Sequence, residues 1–391
     1  MNRLSDLNIS NQNLVIRVDM NVPIKDGVVT DITRILACMP TIKFALENNA
    51  KILLVTHLGR PKEGIFDNNF SLKPLAIEIS RILGSKVDLI DDLDSDKIFN
   101  SSSDVQILEN IRFFKGEKSN CDKLGNLLSS LGDIYVFDAF GTSHREQSST
   151  HSAIINSSLS CAGLLLEQEI NSLTKALNES QNPYTAIIGG AKVSTKLELI
   201  KNINSRADHI IVGGGIANTF LKAAGYEIGI SLFEESMVGI AKELLNDGKI
   251  ILPDIVVTSK TFEGEDIEEK HISEVKKDEM ILDQFLNDEI DNVISLSSTI
   301  LWNGPLGVFE KKSFKKGTEQ LSNAIAKSNA FSIAGGGETL SAINKFINKD
   351  DVSYCSTGGG AFLEFMEGKV LPSIAALNAK ILKRRERNVI K

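Results

Sequence analysis

The chain has 391 residues, a length that suggests two domains, and its 42% apolar and 24% charged residues are ordinary for a globular protein. Its net charge of −8, with no basic block in the body of the chain, argues against nucleic acid as the main partner, and no apolar run approaches the roughly 20 residues needed to span a bilayer. The polar start with Asp6 is unlike a secretory h-region, and four scattered cysteines (Cys38, Cys121, Cys161, Cys355) without a CxxC pair suit free thiols in a reducing compartment, so a cytoplasmic protein is expected.

Short β-rich runs alternate with helical stretches, which predicts an α/β fold with mainly parallel sheets. In the first half, strands are expected over Leu14–Val18, Lys51–Thr56, Val105–Leu108 and Ile134–Asp138. Helices are expected over Ser71–Leu83 and Asp122–Leu131, with another starting near Thr33 that Pro40 should limit or kink. Leu164–Leu177 has the apolar spacing of one amphipathic helix, ended by Gln181, Asn182 and Pro183, and reads as the connector between two lobes. A rigid connector of this kind is compatible with hinge closure. In the second half, strands are expected over Tyr184–Ile188, His209–Val212, Ile255–Val257, Thr299–Trp302, Ala330–Ile333 and Val352–Cys355. Thr261–Asp291 reads as a charged surface excursion followed by a polar helix.

Composition differs between the halves. Nine of 29 glycines lie at or before Gly163, whereas seven of eleven arginines lie at or before Arg145, so two anionic ligands held by different means are expected. Arginine offers a charged planar fork, and glycine lets backbone N–H groups approach phosphate oxygens. Four segments of the second half run from a β-rich stretch through a glycine cluster into a helix start: AIIGGAK, IIVGGGIANT, SIAGGGET and STGGGAF. One such cluster is an ordinary tight turn; four at the carboxyl edge of a parallel sheet point to a phosphate or nucleotide cleft. None matches GxGxxG or GxxxxGK[ST], which leaves a dinucleotide fingerprint and a P-loop unsupported. Lys192 and Lys196, four apart, could face one side of a helix and neutralise phosphate.

Among the early arginines, Arg17, Arg34, Arg60, Arg112 and Arg145 each follow a β-rich run or sit beside a helix start. Alone, each reads as a surface ion pair; together they suit a small, highly anionic substrate. Alternation in RVDMNVP would point Arg17, Asp19 and Asn21 to one face, a poor core and a plausible ligand edge. His57 and His144 are open to acid–base, phosphate-binding or hydrogen-bonding roles. Without CxxC or HExxH, a zinc site is not expected.

Taken in order, RVDMNVP, HLGRP, ENIRF, DAFGTSHR, GGAKVSTK, GGGIANTF, WNGPLGVFE, GGGET and STGGGAFLEFMEGK span essentially the whole chain and closely resemble the phosphoglycerate kinase family. The resemblance implies two Rossmann-like αβα lobes: residues 1–165 with 372–391, a connecting helix at 166–180, and residues 181–371. It implies reversible phosphoryl transfer from 1,3-bisphosphoglycerate to ADP, giving 3-phosphoglycerate and ATP, in a monomer that uses Mg²⁺ with the nucleotide. By motif match, Asp19, Met20, Asn21, Arg34, His57, Leu58, Gly59, Arg60, Arg112 and Arg145 would contact the glycerate ligand. Gly190, Lys192, Lys196, Gly214, Asn303, Pro305, Glu310, Gly336, Gly337, Glu338 and Thr339 would surround the nucleotide, with Glu338 toward the metal. Arg34 and Lys196 would stabilise the transition state, because transfer from an acyl phosphate needs alignment and charge compensation rather than a protein nucleophile.

Four features depart from the family pattern or extend beyond it. Glu338 stands where the family commonly has aspartate, Asp254 directly follows Pro253, Ser373 replaces a usual glycine, and the chain runs on to the basic KRRERNVIK, expected to be an exposed tail. An NAD-dependent oxidoreductase would explain paired α/β lobes but not the missing fingerprint. A noncatalytic sensor would not need the retained Arg34 and Lys196.

Overall fold

The computed structural model describes residues 1–93 and 97–379; the basic segment Lys383–Lys391 lies outside them. The chain divides into two compact units, Met1–Ile170 together with the chain from Val370, and Asn171–Lys369.

The first unit contains β1 (Asn13–Val18), the short hairpin β2 (Ile24–Lys25) and β3 (Val28–Val29), β4 (Lys51–Val55), β5 (Val87–Ile90), β6 (Val105–Leu108), β7 (Ile134–Asp138) and β8 (Ser160–Ala162). Its helices are α1 (Thr33–Glu47), α2 (Lys73–Leu83), α3 (Asp122–Ser130) and α4 (Ala153–Asn156), and α5 (Leu164–Asn178) leads across the unit boundary. Six strands form one parallel sheet in the order β5-β6-β4-β1-β7-β8. Alternation along β1 sends Leu14, Ile16 and Val18 into a core with Ile52, Leu54, Ile107 and Val136, while Val15 and Arg17 take the opposite face. The edge strands β5 and β8 were not anticipated; each is short and offers little apolar periodicity.

Pro40 does not end its helix: α1 runs unbroken through it to Glu47. Pro40 and Leu36, whose carbonyl loses its usual donor, both lie on the solvent face, where water can replace that bond.

The second unit contains β9 (Tyr184–Gly189), β10 (His209–Gly213), β11 (Ile250–Ile251), β12 (Ile255–Ser259), β13 (Glu268–His271), β14 (Met280–Gln284), β15 (Thr299–Asn303), β16 (Phe331–Ala334) and β17 (Tyr354–Cys355). Its helices are α6 (Leu197–Asn204), α7 (Gly214–Ala223), α8 (Val238–Leu245), α9 (Asp288–Leu296), α10 (Lys316–Lys327), α11 (Gly337–Phe346) and α12 (Gly360–Met366). The parallel sheet β11-β10-β9-β15-β16-β17 places all four glycine segments at its carboxyl edge. The strand expected over Ile255–Val257 is present as β12, but it pairs antiparallel with β13 and β14 in a separate three-stranded sheet instead of joining the parallel one. The predicted excursion at Thr261–Asp291 therefore contains two strands. The first of these, β13, is wholly polar in sequence and gives no hydrophobic signal: its Lys270 is buried against Glu279 at 2.9 Å.

Asp138 shows how the first sheet meets α5. It ends β7, is fully buried, and accepts the Leu166 N–H at 2.8 Å through Oδ1, while Oδ2 has no hydrogen-bond partner among the described residues. Gly163 leaves it room, since a Cβ there would collide with the carboxylate. Burial pushes Asp138 up to about 6 from an ordinary 3.8. The folded state then holds this proton where the unfolded chain has lost it, so stability falls as pH rises from about 4 to 6, by up to ~3 kcal/mol. Denaturant unfolding of Asp138→Asn should lack this component, so its stability relative to the parent should increase by a similar amount between pH 4 and 7; a constant difference would refute the assignment.

Candidate active site

In the first unit, Asp19, His57, Arg112 and Arg145 all follow the carboxyl ends of sheet strands, and Arg34 lies in the first turn of α1. Arg34 donates to Asp19 Oδ2 at 2.9 Å, and the Asp19 carboxylate also accepts the Asn21 N–H at 3.4 Å. Asn21 Oδ1 accepts the Gly59 N–H at 2.9 Å, and Arg112 donates to the Gly59 carbonyl, so the HLGRP loop is tied to two of its neighbours. Met20 and Leu58 are buried in the core, which leaves their backbone as the part available to a ligand edge. Arg60 is exposed and Arg145 half-buried.

His57 is almost fully buried, with Nδ1 3.3 Å from an Arg17 guanidinium nitrogen. Desolvation, followed by the charges of Arg17, Arg112, Arg145 and Arg34, lowers its pKa well below the ordinary 6.5. The ring is neutral at pH 7 and suits hydrogen bonding rather than charge neutralisation or base catalysis. Arg112 is itself lowered to about 10, first by burial and then by Arg145 and Arg17, and Arg145 is lowered by burial with contributions from Arg17, Arg60 and Arg34. A group of cations that depress one another stores repulsion that a polyanion relieves.

Arg17 departs from the expected ligand edge. It is fully buried; Nε donates to Ser149 Oγ at 2.9 Å, and the guanidinium also donates to the Val18 carbonyl. Ser149 Oγ donates in turn to the buried Glu117 at 2.6 Å, so this arginine supports the patch from behind through a compensated network. Strand β1 ends at Val18, so Asp19 and Asn21 lie in the irregular segment beyond it, where strand alternation no longer sets a face. Sequence reading also passed over Glu109 and Asn110, although both stand inside ENIRF. Asn110 donates to the Leu58 and Phe70 carbonyls at 2.8 and 2.9 Å, and Glu109 accepts from Ser71 Oγ and the Leu72 N–H at 2.7 and 2.8 Å, fixing the loops around Arg112.

In the second unit, the glycine turns are stitched by backbone and side-chain bonds. The Gly214 N–H donates to the Leu306 carbonyl at 2.8 Å, the Gly304 N–H to Thr339 Oγ1 at 2.8 Å, and Asn303 Nδ2 to the Gly335 carbonyl at 2.7 Å. Gly189 is required where β9 meets this turn, because a Cβ would run into the Pro305 carbonyl. A cavity of about 470 Å³ opens beside the turns, and Gly190, Gly214, Pro305, Glu310 and Glu338 line it. Its other walls are largely apolar: Ile230, Leu232, Phe262, Met280, Leu282 and Val308. None of these residues was singled out from the sequence: Phe262, Met280 and Leu282 fall in the stretch read as a surface excursion, and Val308 lies unremarked within WNGPLGVFE.

Lys196 lies beside the cavity, half-buried, and donates to the Gly189 and Asn303 carbonyls, the latter at 3.0 Å. Burial pushes its ammonium down to about 8, opposed by the charge of Glu338. Lys192 is exposed and lies in extended backbone before a 3-10 turn, while Lys196 stands just before α6; the two do not share a helix face, contrary to the spacing argument. Asn303, Gly336, Gly337 and Thr339 do not line the cavity; Asn303 and Thr339 are buried and shape the turns behind it.

No cluster of three or more His, Cys, Asp or Glu side chains poised for a metal occurs among the described residues. The exposed Glu338 lines the cavity, as do Glu310 and Asp283. The Glu338 carboxylate, at the start of α11 beside the glycine turns, fits Mg²⁺ that arrives with nucleotide phosphates, since Mg²⁺ commonly takes one or two carboxylates together with phosphate oxygens and water.

An arginine-rich patch on one α/β unit and a glycine-lined cavity with a lysine beside it on another suit a phosphotransferase. A family model described as phosphoglycerate kinase matches residues 4–369. The phosphoglycerate kinase of Vibrio campbellii is 47% identical over 381 residues, covering 97% of this chain and 98% of the relative; that of Blochmanniella floridana is 48% identical over 383 residues, covering 96% of each. The solved structure of phosphoglycerate kinase from Coxiella burnetii matches with a TM-score of 0.90 at 43% identity, over 97% of this chain and 99% of the other. The chain belongs to the phosphoglycerate kinase family. Its activity is that of the family, the glycolytic exchange of a phosphoryl group between 1,3-bisphosphoglycerate and ADP, giving 3-phosphoglycerate and ATP.

Proposed function

We propose that the first unit binds 3-phosphoglycerate or its 1,3-bisphosphate and the second binds MgADP or MgATP, with transfer by direct in-line displacement. The observation that carries this reading is the set of mutually depressed cations around His57 in the first unit. Arg60, Arg112, Arg145 and neutral His57 hold the phosphate remote from the reacting end. Asp19 and Asn21, presented by the turn after β1, orient the hydroxyl and carboxylate end, and the backbone of Met20, Leu58 and Gly59 frames them.

In the second unit the apolar cavity accepts the flat base, Glu310 hydrogen-bonds the ribose, and the loops with Gly190, Gly214, Gly336 and Gly337 surround the phosphates. Lys192 and Lys196 neutralise phosphate oxygens; Asn303, Pro305 and Thr339 hold the turns in shape. Mg²⁺ bound to the nucleotide beside Glu338 would offset charge on the phosphate oxygens. Arg34 and Lys196 compensate the charge that builds on the transferring group, and exclusion of water protects the acyl phosphate from hydrolysis. A cytoplasmic monomer is the setting the family resemblance suggests; no described helix is long and apolar enough to cross a membrane.

With 3-phosphoglycerate, MgATP, glyceraldehyde-3-phosphate dehydrogenase and NADH supplied, the protein should drive NADH loss that depends on both substrates. Absence of turnover by folded protein beside an active control would overturn the reading.

A further inference from the structure

Lys311 stands directly after Glu310, the residue assigned to the ribose, and makes three contacts with one short loop. Its ammonium donates to the Phe262 carbonyl at 2.6 Å and to Glu263 Oε2 at 2.9 Å, and it lies 3.8 Å from the centroid of the Phe262 ring. Phe262 is 49% exposed and lines the cavity, whereas the Lys311 side chain is only 25% exposed. Phe309, two residues earlier, is anchored as well, since Lys345 donates to its carbonyl at 2.7 Å. The segment Phe309–Lys311 is therefore held on one side by α11 and grips the Phe262 loop on the other.

A half-exposed aromatic ring lining an apolar cavity can stack on a flat base only if the loop carrying it stays in place. Left alone, a half-exposed phenylalanine on a surface loop samples many positions, and ordering it on binding costs affinity. A cation over its face, together with a bond to its own carbonyl, removes much of that freedom beforehand. We propose that Lys311 is a positioning residue for the nucleobase: it fixes the Phe262 loop at the rim of the cavity so that the ring meets a bound purine. This rests on the assignment of the cavity to the base.

Calorimetric titration with MgADP and with ribose 5-diphosphate, which lacks the base, tests it on the full chain. Lys311→Ala should weaken MgADP about five- to tenfold, the range expected for a partly desolvated cation–π contact. It should leave ribose 5-diphosphate binding unchanged. Lys311→Arg, which keeps the cation and its donors, should restore MgADP affinity to within about twofold of the parent. Phe262→Ala separates the two layers of the argument. If it weakens MgADP while Lys311→Ala does not, the role of Lys311 is overturned and the base assignment stands. If neither variant changes MgADP binding, the base assignment falls too. An equal loss for ribose 5-diphosphate in Lys311→Ala would also overturn the proposal, because it would show a general disturbance of the cleft.

Discussion

Replacing Lys196 by alanine should lower kcat by about 10²–10³ or more, with a much smaller change in the KM for 1,3-bisphosphoglycerate. The ammonium is held against the Gly189 and Asn303 carbonyls, beside Gly190 at the cavity edge. Two carbonyl acceptors fix its position without neutralising it, so its charge remains available to a phosphoryl group, in surroundings where water screens it less. The lowered pKa of about 8 gives a second, independent readout. In the free enzyme the charged form is lost as pH rises through that value, so kcat/KM for the nucleotide should fall on the alkaline side near pH 8. Bound phosphate favours the ammonium and should move the corresponding limb of kcat to higher pH. Lys196→Arg, charged throughout, should lack that limb even if its absolute rate is poor. Parent-like kcat in the alanine variant would remove Lys196 from the chemistry.

The reasons some of this was legible in the sequence, and some was not, are physical. A strand buried on both faces reads as a continuous apolar run, so β1, β4, β7, β9 and β15 are visible, and the residues after them mark a carboxyl edge. His57 and Arg112 are recognisable because polar groups directly after such runs have nowhere to hide in a core. Arg17 breaks that logic: its charge is compensated through Ser149 and Glu117, a partner 100 positions away in the chain. The antiparallel sheet was hidden for a related reason, since Lys270 in β13 is satisfied by Glu268 and Glu279 instead of by apolar neighbours. The apolar cavity wall was hidden in the opposite way. Leu282 in β14 is apolar and nearly buried like any core residue, and only the empty volume beside it distinguishes a ligand surface from packing. Periodicity reports which side of an element avoids water; it does not report what replaces the water.

Arg34→Ala should produce the other large loss, again about 10²–10³ in kcat. Arg34 differs from the buried Arg17 and Arg112 in two respects. Its side chain is 38% exposed, and its one hydrogen bond among the described residues runs to Asp19, the carboxylate expected to orient the substrate hydroxyl. A guanidinium presents five donors in a planar fork, so a single contact to Asp19 leaves most of them for a ligand. If Arg34 acted only in ground-state binding, its removal would raise KM and leave kcat intact; charge compensation on the moving phosphoryl group instead predicts a fall in kcat with KM little changed. Arg34→Lys discriminates further, since it keeps the charge and loses the fork. Recovery of less than about a tenth of the parental kcat would locate the requirement in bidentate geometry, whereas near-complete recovery would reduce it to charge alone. Arg60→Ala supplies the contrast within the same unit: as a contact to the remote phosphate it should raise KM for the glycerate substrate more than it lowers kcat. A parental kcat in Arg34→Ala would dismiss that arginine from transition-state stabilisation and leave it as a partner that holds Asp19 in place.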